Sequence, residues 1–153
     1  MADSGPSETG DNWIEGFVPY RLYRVTNRLN AKLLSKLKSI RINPSQWRVL
    51  SVLKAYGTLN IGAIADLTLM EQPTVSRVVA QLEAKGGLSR KASSEDARVT
   101  EVALTAKGVD AFNQIIPTAL RHQELAFEGF TAKEMATLTR LLAKVEKNIE
   151  AYD

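Results

Sequence analysis

Four side chains within one short stretch, Gln72, Thr74, Ser76 and Arg77, are shaped for contact with nucleic acid. An arginine can grip a guanine edge through two parallel N–H donors or hold a phosphate, and a glutamine amide can match the donor and acceptor of adenine. The two hydroxyls suit phosphate oxygens. Taken singly, each is an ordinary solvent-facing residue. Together they need one element that presents them along an edge. Val75, Val78, Val79 and Leu82 supply it, recurring at helical spacing behind Pro73, which suits the first turn of a helix. Gly86-Gly87 stops that helix.

Other chemistries lack their residues. The 153-residue chain has no cysteine and a single histidine, His122. Disulfides, thiolate metal sites and thiol redox sensing are therefore excluded, and no zinc or iron centre is expected. His122 is expected to be a polar surface or interface residue. Lys85-Gly86-Gly87 lacks the spacing of a phosphate-binding loop. The acid pair Glu95-Asp96 falls in a polar loop, in water, where neither carboxyl is expected to hold a shifted pKa. The chain is thus not expected to be an enzyme or to carry a cofactor. No apolar run approaches the roughly 18 residues that span a bilayer, and no signal-peptide core opens the chain. A soluble, cytoplasmic protein without membrane partners is expected.

The elements around the polar stretch follow from periodicity. Residues 1–12 are rich in Ser, Gly, Pro and acids and are expected to form a mobile tail. From Trp13, one long helix carries Leu22, Leu29, Leu33, Leu37 and Ile40 on one stripe and Arg21, Arg24, Arg28, Lys32 and Lys36 on another. Asn43-Pro44-Ser45-Gln46 reads as a capped start for a second, largely buried helix bearing Trp47, Val49, Leu50, Val52 and Leu53. Asn60 caps a short third helix, and after a break the helix holding Gln72 to Arg77 is the fourth. Two short helices joined tightly in this way describe a helix-turn-helix. Leu88–Lys91 and Val99–Leu104 then read as a hairpin with a charged tip, which is a wing. Thr105 caps a fifth helix, in which Pro117 is expected to place a kink. Thr131 with Glu134 opens a sixth along Leu138, Leu141, Leu142, Val145 and Ile149.

Charge is unevenly distributed. The net charge is only +3, yet no acidic residue occurs between Glu15 and Asp66. Such segregation predicts a positive surface on a nearly balanced molecule. The basic ridge of the first helix runs near Phe17, Tyr20 and Trp47. A cationic ridge beside aromatic walls suits a small anionic aromatic compound, whose ring packs while its acid group meets guanidinium forks. On this reading Phe17, Tyr20, Arg24 and Trp47 form an effector pocket. The plainer alternative is that the ridge touches only DNA backbone or water, and the aromatics only core or interface.

The chain also resembles a known family. The residues that carry the likeness are Gln72-Pro73-Thr74-Val75-Ser76-Arg77-Val78-Val79, Leu82-Glu83-Ala84-Lys85-Gly86, Arg90, Glu95-Asp96-Ala97-Arg98 and Leu104-Thr105-Ala106-Lys107-Gly108. In order and spacing they resemble the MarR family of winged helix-turn-helix regulators. The resemblance implies a mainly helical fold with a small β-wing: four helices, two strands and two further helices, often with an extra short strand before the third helix. It implies a homodimer through the terminal helices and a single domain over 13–153. Within it, 13–42 and 105–153 would serve dimerisation, and 43–104 would be the DNA-binding lobe. It also implies roles on duplex DNA. Arg77 and its neighbours would lie on the recognition helix, Arg90 would open the wing, and Asp96 with Arg98 would form the acidic and basic pair at its tip, Arg98 entering the minor groove. Where the family usually has Lys-Gly-Leu, this chain has Lys85-Gly86-Gly87, so a looser wing base is expected. The stretch from Pro19 to Leu53 resembles the branch that senses aromatic acids or their coenzyme A thioesters. The expected function is a transcription regulator at pseudo-palindromic operators, a repressor released by such an effector. A winged-helix protein-interaction module without DNA binding is the alternative.

Overall fold

The computed structural model describes residues 12–152, so the tail expected over 1–12 lies outside the described residues except for Asn12. The elements are α1 (Trp13–Gly16), α2 (Val18–Ser39), α3 (Pro44–Tyr56), β1 (Leu59–Asn60), α4 (Ile61–Thr68), α5 (Gln72–Ala84), β2 (Leu88–Ala92), β3 (Thr100–Leu104), α6 (Ala106–Ala126) and α7 (Ala132–Glu150). They fall into two compact units, one up to His122 and one from Gln123. No helix of the described residues is long and apolar enough to cross a membrane.

The long first helix expected from Trp13 is interrupted. Phe17 adopts an extended conformation, and α2 begins at Val18 with proline in its first turn. Pro19 has no N–H to give to the preceding turn and its ring crowds the carbonyl behind it, so the chain restarts rather than continues. At its other end α2 closes through Arg41, which lies in the left-handed region at φ 56°. The amide of Ile42 returns to the Leu37 carbonyl at 2.9 Å. This closure usually takes glycine, because a β-carbon there meets the backbone.

The second helix starts as its sequence requires. The Asn43 side chain accepts from the Gln46 amide at 2.8 Å, and the Gln46 side chain accepts from the Asn43 amide at 3.1 Å. Together they satisfy two of the donors that a helix start leaves open. Asn60 caps α4 in turn, accepting from the Ala63 amide at 2.8 Å. Val49, Leu50, Leu53, Ile64, Val75, Val79, Leu82 and Val102 make the core that α3, α4, α5 and the sheet share. The sheet is antiparallel in the order β1-β3-β2, with Leu59 opposite Val102 and Leu88 opposite Leu104. The hairpin therefore gains the third strand that the resemblance implied.

Ile115, fully buried, and Phe112, which stacks on Trp47 with ring centroids 5.3 Å apart, help seat α6 on this core, with Ala111 and Ala119 packed beside them. Pro117 lies inside α6, which continues as helix to Ala126. The half-buried His122 leaves its Nδ1 enclosed without a hydrogen-bond partner. In the second unit Phe127 and Phe130 meet edge to face at 5.4 Å. Thr131 and Glu134 cap α7 reciprocally. That helix buries none of its residues, and Leu141, Leu142, Val145 and Ile149 stand exposed along it.

Candidate nucleic-acid interface

Helix α5 presents the polar stretch because its other face is locked. Val75, Val78, Val79 and Leu82 are buried, which fixes the rotation of the helix and leaves Gln72, Ser76 and Arg77 exposed. Thr74 is half-buried beside them. Gln72 and Ser76 stand four residues apart and so share one strip of the helix surface. Arg77 has no ion-pair partner among the described residues, so its guanidinium is available to a ligand. The turn before α5 passes through Leu69, left-handed at φ 55° and 93% exposed. Glu71 takes the N-cap position without a side-chain cap bond. Sequence reasoning had passed over it. A carboxylate at that place repels phosphate but can accept from the cytosine amino group. Its only signal in the sequence is its position two residues before Pro73.

The wing is built around two arginines in different states. At its tip, the Arg98 amide donates to Asp96 Oδ1 at 3.0 Å, and the Arg98 side chain bonds both Asp96 oxygens at 3.2 and 3.4 Å. The Val99 amide donates to the Asp96 carbonyl at 2.9 Å, closing the turn. Asp96 thus holds an Arg98 side chain that remains 91% exposed. These bonds also correct the expectation for the acid pair. The Arg98 backbone amide, and then its side chain, lower the Asp96 carboxyl below its usual value.

Arg90 is engaged otherwise. Its guanidinium meets Glu83 through two parallel bonds of 2.9 Å, joining β2 to the last turns of α5. The same bonds lower the Glu83 carboxyl below its ordinary range and raise Arg90. Glu83 was not singled out from the sequence, where the helix stop at Gly86-Gly87 separates it from Arg90. The base of the wing is closed as well. Gly87 is buried against Gly108, its carbonyl accepts from the Thr105 amide at 3.1 Å, and the Gly86 carbonyl accepts from the Thr105 hydroxyl. Close backbone packing thus stands in the place of that leucine.

The residues expected to form an effector pocket separate into two places. Arg24 lies over the Tyr20 ring at 5.7 Å, and both line a cavity of about 340 Å³ with Arg21, Arg28, Val25 and Glu15. Phe17 pairs instead with Trp13, at 5.5 Å, and Trp47 with Phe112. Neither Phe17 nor Trp47 lines that cavity. No group of three or more His, Cys, Asp or Glu among the described residues could hold a metal.

The profile of the MarR family matches residues 42–100, which covers the helix-turn-helix and most of the wing. The HTH-type transcriptional repressor IacR of Pseudomonas putida is 29% identical over 136 residues, or 89% of this chain and 81% of that protein. A MarR family transcriptional regulator from Silicibacter pomeroyi has a crystal structure that superposes with a TM-score of 0.83 at 32% identity, covering 95% of this chain and 97% of that one. A second Silicibacter pomeroyi regulator of the family superposes with a TM-score of 0.84 at 28% identity over 94% and 97% of the two chains.

Proposed function

The chain belongs to the MarR family of winged helix-turn-helix transcription regulators, and from that premise we propose that it is a dimeric repressor released from its operator by a small anionic aromatic compound. It is a DNA-binding regulator and not an enzyme. The observation that carries the reading is an exposed Arg77 on α5, unpaired among the described residues, beside a wing whose tip holds Arg98 out in solvent. Gln72, Ser76, Arg77 and the half-buried Thr74 would meet the major groove, where base edges are distinct. Arg98, aimed by Asp96, would enter a narrow minor groove. Arg90 would act at one remove, holding the wing to the recognition helix. The function as a repressor is supported by the likeness to IacR, whose name describes a transcriptional repressor.

The effector would sit in the α2 cavity. Tyr20 offers a ring face, and Arg21, Arg24 and Arg28 offer forks for a carboxylate, with Glu15 the one acid among the described residues of the lining. Such a ligand lowers DNA affinity only if it prefers the spacing of the two lobes that cannot bind, a coupling of about 1–3 kcal/mol. On this reading 13–42 and 105–153 would serve dimerisation and 43–104 would bind DNA. A cytoplasmic location follows from the same reading.

Titration of duplex DNA tests the whole. If a dimer neutralises about six to ten phosphates, affinity falls by about 10³ to 10⁵ between about 50 and 200 mM salt. A pseudo-palindrome with half-sites about one helical turn apart should be preferred. A flat salt response would turn the reading toward protein interaction without DNA. Calorimetry with hydroxybenzoates and hydroxycinnamates, on wild type and on Arg24→Ala, tests the effector. Binding that leaves operator affinity unchanged removes the effector and leaves DNA binding standing.

A further inference from the structure

A second cavity, of about 480 Å³, opens in the first unit where the end of α2, α3, the end of α5 and the start of α6 come together. It shares no lining residue with the Tyr20 cavity and none with the DNA-facing edge of α5. Its size falls in the range of small-ligand sites, about 300–1,000 Å³. Ile42, Leu50 and Leu82 supply apolar wall, and no aromatic side chain among the described residues lines it.

The charged groups around it are unbalanced. Among the described residues, Arg41, Lys85 and Lys107 line the cavity against one carboxylate, Asp110, and none of the four takes part in an ion pair with another of them. The backbone goes to some trouble to place them. Arg41 holds its left-handed conformation, and its carbonyl accepts from Lys85 Nζ at 2.6 Å. Gly86, at φ 80°, leaves open the space beside the Lys107 stem: a β-carbon there would lie 3.4 Å from Lys107 Cδ and 3.9 Å from its Nζ. Three like charges gathered on one rim repel one another unless an anion joins them.

We infer that this cavity binds an amphipathic organic anion with an aliphatic body, of the medium-chain carboxylate class. The chain would lie on Ile42, Leu50 and Leu82, and the carboxylate would sit among Lys85, Lys107 and Arg41, where charge-assisted hydrogen bonds are strongest. Occupancy reaches the recognition helix by a short route. Lys85 Nζ also donates to Gln46 Oε1 at 3.4 Å, and Gln46 Nε2 donates to Gln81 Oε1 at 3.2 Å. Gln46 is buried, with only 4% of its surface exposed, and its Oε1 is shared between Lys85 Nζ and the Asn43 amide, so drawing Lys85 away leaves that oxygen to Asn43 alone and shifts the amide that bonds Gln81.

Sodium octanoate, octanamide and octylammonium, each titrated into the full chain by calorimetry and by nitrogen-15 NMR, test the site. Octanoate should bind once per chain and shift the Gln46 side-chain amide. Octanamide and octylammonium should bind at least about tenfold more weakly, the loss of one charge-assisted contact. Lys107→Gln should weaken octanoate by about the same factor, while Arg24→Ala should leave it unchanged, which separates this site from the Tyr20 cavity. The inference is overturned by the absence of saturable octanoate binding, by equal binding of octylammonium, or by loss of binding in Arg24→Ala with Lys107→Gln unaffected.

Discussion

The Gly87 carbonyl oxygen faces Gly108 so closely that a β-carbon built on Gly108 would lie 2.0 Å from it. The two glycines let the start of α6 press on the strand that opens the wing, and the contact is asymmetric. A β-carbon on Gly87 would meet nothing nearer than the Leu82 carbonyl at 3.5 Å and Gly108 Cα at 3.7 Å, which is ordinary contact. Gly108→Ala should therefore destabilise the protein by about 1–3 kcal/mol or more, as overpacking does. Gly87→Ala should instead stabilise it by about 0.4–1 kcal/mol, by restricting the unfolded chain. Urea denaturation of both variants checks the pair, and equal losses would show that the approach is not as asymmetric as the geometry makes it.

The Arg90–Glu83 brace should be sensitive to acid. Because the folded pKa of Glu83 is depressed, its contribution is complete above the ordinary carboxylate value and is lost as pH falls through the depressed one. Both side chains are more than a third exposed, so the brace adds little to global stability and acts mainly on the wing. Glu83→Gln should loosen β2 at neutral pH, seen as faster amide exchange in residues 88–92. Below the usual carboxylate range, exchange in wild type should approach that of the variant. A variant with wild-type protection at neutral pH would show the brace to be idle.

Arg77 and Arg98 should fail in different ways. Arg77→Ala should cost about 1–3 kcal/mol and relax preference at one base position, or weaken all sites alike if it holds phosphate. Arg98→Ala should weaken chiefly sites with A·T-rich flanks, whose minor groove is narrow and negative. Asp96→Ala should reproduce part of the Arg98→Ala loss, because the arginine then loses its anchor. Binding by selected and randomised duplexes reads all three, and Asp96→Ala binding at wild-type strength would break the positioning role.

Dimerisation should depend on the apolar surface of the terminal helices. Leu141, Val145 and Ile149 are between 41% and 54% exposed on α7, an unusual apolar stripe for a helix left in water. Sedimentation of the wild type at micromolar concentration should give a dimer. Leu141→Lys with Val145→Lys should shift it to monomer and abolish tight operator binding, since two recognition helices are needed to span two half-sites. A double variant that stays dimeric would move the interface elsewhere.

Sequence alone determined what depends on neighbours in the chain. The Asn43–Gln46 and Thr131–Glu134 capping boxes, the Asn60 cap and the buried valine face of α5 follow from residue type and spacing. Helix periodicity and caps act over three or four residues, so they are legible without a fold. The interruption at Phe17 was legible too, in Pro19, though the apolar periodicity spoke louder. Tertiary structure decided which charges are free. Arg77 and Arg90 read alike in the sequence, but the packing of β2 beside α5 gives Arg90 to Glu83 and leaves Arg77 open. It also decided the aromatic partners, sending Trp47 to Phe112 on α6 and away from Tyr20. The meeting of Lys85 with the Arg41 carbonyl, and of Gly87 with Gly108, likewise joins residues distant in the chain. No local pattern encodes such pairs, because they arise only when the core fixes how the helices and the wing lie against one another.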